Sequence, residues 1–146
     1  SHLDTKQQSF NELLKGLKKP RGLRSESFRI VQTLGFEYES FSLTVFLHDL
    51  EKSDEIDDLI SILNCWLKLG QCGGFSGSGN LGFSFISEPE IVKSHDAVYC
   101  KADFSEADPG IAMRILLRAL ENFAEGSAEI KAVALGLHFP GFNKQV

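Results

Sequence analysis

The chain has no run approaching the roughly 20 consecutive apolar residues of a membrane-spanning helix, so no membrane partner is expected. Its first residues, SHLDTKQQSF, are polar and lack the apolar stretch of a secretory signal. Cysteine is scarce and odd in number: Cys65, Cys72 and Cys100, with no C-x-x-C. That argues against a disulfide framework, and free thiols in a reducing cytosol are the expectation. None of the four histidines is spaced as H-x-x-x-H or H-E-x-x-H, and no Cys/His spacing for zinc occurs. No metal and no cofactor are expected. Internal repeats are missing, and the one compositionally biased run is a glycine-rich loop.

What remains is an ordinary globular composition, 42% hydrophobic and 24% charged over 146 residues, which suits one domain with a sizeable core. The net charge of −5 is unevenly spread. Residues 1–30 hold seven Lys/Arg against three Asp/Glu, whereas the rest hold eight against 17. A basic N-terminal arm, residues 1–27, therefore precedes a mildly acidic body, residues 28–146. The arm suits a polyanionic partner that the body alone would repel.

Along the chain, Phe10, Leu13, Leu14 and Leu17 share one face of a short helix, which Gly16 weakens and Pro20 ends. KGLKKPRGLR is a basic linker. Residues 28–38 read as an extra strand or as a helical turn broken at Gly35. FSLTVFLH alternates as a strand with Phe41, Leu43, Val45 and Leu47 inward. Ile56, Leu59, Ile60, Leu63, Trp66 and Leu67 form the stripe of a first helix, capped by Ser53 or Asp54 and stopped at Gly70. NLGFSFIS is the next strand, ended by Pro89, and AVYCKADF the next. Asp108-Pro109 opens a second helix with Ala112, Ile115, Leu116, Ala119 and Phe123 inward, closed at Gly126. EIKAVALGLHF is the last strand.

The order is βαββαβ, which predicts an α+β ferredoxin-like sandwich: a four-stranded antiparallel sheet with two helices on one face, plus an N-terminal extension. The opposite face is then open to an extra helix, a partner or a second copy. Phe46 and Tyr99 are the expected contacts of a sheet-to-sheet homodimer.

Six of the 13 glycines lie between Gly70 and Gly82. Gly77–Gly82 spells G-x-G-x-x-G, but a dinucleotide loop follows a strand and opens a helix. This one follows a helix and opens a strand. Asn80 stands where a phosphate-binding loop needs lysine, and Ser78 stands where a nucleophile elbow needs glycine. The loop is a helix-to-strand connection, with Phe75, Gly77, Gly79 and Asn80 as candidate partner contacts.

His48-Asp49 and His95-Asp96 each suggest half of a triad. With the third strand read as parallel to the first, His95 falls with His138 at the end of the sheet opposite His48. Asp103 falls beside His48, where the pair offers weak acid–base chemistry for a small enzyme. No catalytic residue is assigned. The run DLEKSDEIDD carries six acids. Those at a helix start complement the macrodipole; as a surface, Asp54, Glu55, Asp57 and Asp58 suit an inhibitor or immunity protein binding a basic partner.

Val45–Leu50 resembles the shorter signature of the RNA-recognition motif, and Gly82–Ile86 resembles the longer one. The motif stacks bases on sheet aromatics. Over residues 21–90, a basic stretch, the segment ending Leu34-Gly35-Phe36, a strand, an acidic-start helix and the loop Phe75-Ser76-Gly77-Ser78-Gly79 resemble the YggL-type family. That family comprises small bacterial proteins that associate with the large ribosomal subunit and have no known catalytic residues. The resemblance implies a cytoplasmic, non-enzymatic protein with a protein or ribonucleoprotein partner. It implies Lys18, Lys19, Arg21 and Arg24 as rRNA phosphate contacts.

Overall fold

A computed structural model of the chain describes residues 10–12, 14–20, 22–34, 40–51, 54–75, 85–103, 109–127 and 130–137. It contains strands β1 (Arg29–Gln32), β2 (Ser40–Leu47), β3 (Phe85–Val92), β4 (Ala97–Asp103) and β5 (Ile130–Leu135). The long helices are α1 (Ile56–Gln71) and α2 (Pro109–Ser127), and a short helical stretch includes residues 10–12 and Leu14. The sheet order is β1-β5-β2-β4-β3. β2 is antiparallel to β4 and β5, and β3 to β4, while β1 is parallel to β5. The protein is thus an α+β sandwich on a five-stranded mixed sheet rather than on four antiparallel strands. The undecided stretch before β2 supplies the fifth.

Alternation puts two different sets of side chains on the two faces. Leu43, Val45 and Leu47 of β2, Val98, Cys100 and Ala102 of β4, and Val133 and Leu135 of β5 face the helices. They meet Leu59, Leu63, Trp66 and Leu67 of α1 and Ala112, Met113, Leu116, Leu117 and Leu120 of α2. The α2 stripe is rotated from the expected one: Leu117 and Leu120 are buried, and Ile115 is 47% exposed. The Trp66 indole N–H donates to the Ala112 carbonyl at 2.8 Å inside this core and ties α1 to α2.

The second face is also buried. Phe46 and Tyr99, expected on an open surface, are 1% and 3% exposed. They belong to a cluster with Val31, Ala132, Ala134 and Leu14, against which Phe10 and Leu17 pack. Phe10 meets Phe46 edge to face with centroids 5.2 Å apart, a favoured aromatic geometry. The amphipathic N-terminal stretch thus supplies the cover. Lys18 and Gln32 then exchange backbone hydrogen bonds of 3.0 and 2.8 Å at the outer edge of β1. Further on, Leu23 and Phe28 are buried in the helix-side core. The described part of residues 10–28 is therefore a strap that crosses from one sheet face to the other around β1, not a separate arm.

Local chemistry explains the remaining departures. Glu55, not Asp54, is the N-cap residue of α1, and it makes no side-chain cap bond. Gly70 lies inside the helix, which ends one residue later. Cys72 is the C-cap, and Gly73 adopts φ +88°. The Gly74 N–H donates to the Leu69 carbonyl at 2.8 Å and the Gly73 N–H to that of Gly70 at 3.1 Å, the paired bonds of a Schellman stop. A Cβ on Gly74 would lie 2.6 Å from Leu69 Cδ1 and 2.9 Å from its carbonyl oxygen. These two glycines serve the helix end. Pro89 does not end β3; the strand continues to Val92 across a register shift between Ser87 and Glu90. An edge strand with a bulge tolerates the missing N–H.

Candidate functional site

The strap carries Arg24 over α2. There the exposed side chains of Arg24, Arg114 and Arg118, with half-buried Glu121, surround a cleft of about 240 Å³ floored by Leu23 and Leu117. Arg114, Arg118 and Glu121 are spaced four and three apart, so they share a face of α2. Arg114 Nε donates to the Gly110 carbonyl at 3.1 Å, which holds that guanidinium along the helix. Two like charges at i, i+4 disfavour a helix by a few tenths of a kcal/mol, and the strap adds a third cation beside them. Leu23, next to Arg24, is 9% exposed in the helix-side core, so Arg24 is anchored and not carried on a loose tail. Sequence reasoning reached Arg24 and missed Arg114 and Arg118. Their signal was the R-x-x-x-R-x-x-E spacing in RILLRALE, legible only once another cation is known to lie across it.

The other expected contacts do not join this cleft. Lys18 and Lys19 are exposed near the β1 edge, where Lys18 pairs with Gln32. Arg21, Gly77, Gly79 and Asn80 lie outside the described residues. Phe75 is 1% exposed, with its ring 6.2 Å from that of Trp66, and belongs to the core. On the acidic surface, Asp54, Asp57 and Asp58 are exposed and Glu55 is half-buried at the start of α1.

The histidines are arranged differently from expectation. β2 and β4 are antiparallel, with Phe46 opposite Ala97 and Ser40 opposite Asp103. His48 and the His95-Asp96 pair therefore lie at the same end of the sheet, and Asp103 lies at the other. The physical reason is connectivity: the β3–β4 hairpin reverses the chain after the helical crossover. So the proposed His48–Asp103 pairing does not form. Asp96 adopts φ 52°, and its Oδ1 accepts from the Leu50 N–H at 3.1 Å, which makes it a loop anchor. His138 lies outside the described residues. Nearby, Lys131 sits 3.8 Å from the Phe10 ring centroid. Burial lowers its pKa, partly offset by the negative charge of Asp96.

Among the described residues, no group of three or more His, Cys, Asp or Glu side chains converges to hold a metal ion. No helix among them is long and apolar enough to cross a membrane. An apolar groove of about 230 Å³ between α1 and α2 is lined by Cys65, Trp66, Leu69 and Ile115. In comparison with known proteins, no family model, no curated protein and no solved structure matches the chain.

Proposed function

We propose that this is a non-enzymatic, cytoplasmic protein that binds RNA, as part of a ribonucleoprotein such as the ribosome, through a basic surface. The observation that carries the reading is the convergence of Arg24, Arg114 and Arg118 on one cleft from two distant parts of the chain. Exposed Lys18 and Lys19 extend the basic character of the strap. In a molecule of net charge −5, three gathered guanidiniums are a local exception that suits phosphate oxygens. The finer fold reading belongs here too. The neighbours β5-β2-β4-β3 run antiparallel in a βαββαβ unit, which supports a ferredoxin-like core with β1 added outside. Three free cysteines agree with a reducing compartment.

The test replaces all three arginines with alanine and leaves the strap intact, because truncation would strip Leu14 and Leu23 from the two cores. Affinity for a short single-stranded RNA is measured by fluorescence anisotropy across salt concentration. The intact protein should bind at low salt. Removing three phosphate contacts should flatten the dependence of log K on log salt by about 2, at roughly 0.7 per contact for single strands. Failure of the intact protein to bind any RNA at about 50 mM salt would overturn the reading. The acidic surface at Asp54, Glu55, Asp57 and Asp58 would then become the working face, with a basic protein as its partner.

A further inference from the structure

Resting on that reading, we infer that the cleft recognises one ribose-phosphate unit of RNA, with Glu121 as the group that selects ribose over deoxyribose. Four features of the cleft carry this.

The first is its size. At about 240 Å³ it falls below the roughly 300–1,000 Å³ of pockets that enclose whole organic ligands. It has room for a phosphate and its sugar, while the base remains outside, unread.

The second is its charge pattern. Arg24, Arg114 and Arg118 supply guanidinium donors, and Glu121 is the one carboxylate among the described residues that line the cleft. A site for a bare phosphate gains nothing from an acid beside it, because the carboxylate repels the ligand and offers it no donor. A ligand that presents both an anion and a hydroxyl uses both kinds of group. The ribose 2′-hydroxyl next to a phosphodiester is such a donor, and DNA lacks it.

The third is spacing. Arg118 and Glu121 are three residues apart on α2, and such positions have Cβ atoms about 5–6 Å apart. Two long side chains rooted that close can reach a phosphate and the 2′-hydroxyl of the same nucleotide. The fourth is exposure: Glu121 is half-buried while the three arginines are exposed. The acceptor lies deeper than the cations, so it is reached by a sugar whose phosphate remains near the rim.

The reading predicts sequence-independent binding with a preference for RNA. One hydrogen bond to a charged acceptor corresponds to about tenfold in affinity. The experiment compares a short single-stranded RNA with the DNA of the same sequence, using the intact protein, Glu121→Ala and Glu121→Gln. The intact protein should favour RNA by about tenfold. Glu121→Ala should bind the DNA more tightly, through loss of repulsion, while the RNA loses its hydrogen bond, which brings their ratio close to one. Glu121→Gln keeps an acceptor without the charge, so it should tighten both probes while retaining most of the preference.

Equal binding of RNA and DNA by the intact protein would overturn the inference and leave the basic-cleft reading standing. So would a preference unchanged in Glu121→Ala. Absence of binding to either probe would overturn both.

Discussion

At the scale of single residues, the three cysteines show how one side-chain type takes different roles from its place. Cys65 and Cys72 are exposed, and Cys100 is fully buried in the helix-side core. Burial pushes the Cys100 thiol up from 9.0 to about 12. Between those values the unfolded chain releases this proton and the folded protein keeps it. The stability Cys100 contributes is therefore complete below pH 9.0 and is lost as pH rises toward about 12, at up to about 1.4 kcal/mol per pH unit. Burial raises the Tyr99 hydroxyl as well, partly offset by its hydrogen bond with Ser42. Tyr99 adds the same sign of dependence above its ordinary value of 10.0. Urea unfolding from about pH 8 to about pH 11 should show a falling midpoint, with a shallower fall in Cys100→Ala. An equally steep fall in that variant would remove Cys100 from the explanation. The inward placement of Cys100 was legible from alternation with Val98 and Ala102. The partnership of Arg24 with Arg114 and Arg118 was not, because charged side chains on exposed faces carry no period that tells what lies across from them.

At the scale of elements, periodicity read well wherever a segment buries one face. Both long helices and the β2 and β4 strands follow from stripes and alternation, whereas β3, expected to end before Pro89, runs on to Val92. Sequence could not show which surface the stripe Phe10, Leu14, Leu17 covers. A helical face announces that it is apolar, but not its partner, and the predicted open sheet face was that partner. The four-residue β1 is too short for a period to show and becomes a strand by pairing with β5. Pro89 misled because its cost depends on whether a strand is central or at the edge, a fact settled only by topology. The strap is held mainly by burial, so Leu14→Ala should destabilise the fold by about 2 kcal/mol, the lower end of the Leu→Ala range. Equilibrium urea denaturation gives the value, and the variant should also bind a hydrophobic dye more strongly as the Phe46–Tyr99 face opens. A change below about 0.5 kcal/mol, as at ordinary surface sites, would mean that the strap is not stabilising.

At the scale of the whole molecule, opposite charges sit on different elements of one fold. The acids at the start of α1 and the arginines beside α2 shape one field. Neutralising Asp54, Glu55, Asp57 and Asp58 as amides should speed association with RNA at low salt and leave it unchanged at about 1 M, where charges are screened beyond about 3 Å. The same change should cost about 0.3–1 kcal/mol for each of Asp57 and Asp58, which lie in the first turn of α1 and complement its dipole. Slower association in the variant would mark the acidic surface as part of the binding face.

The parallel pairing of β1 with β5 also sets a timetable. Arg29 lies opposite Ala132 and Gln32 opposite Leu135, so about a hundred residues of synthesis separate the two strands, several seconds or more at ordinary elongation rates. Through that interval a nascent chain holds β1 without its sheet neighbour, and β2 without either partner until β4 has been made. An unpaired strand is a template for association with other chains. The strap, made before β1, can engage the outer edge of β1 through Lys18 and Gln32 from the outset, so that only the inner edge waits for the last strand.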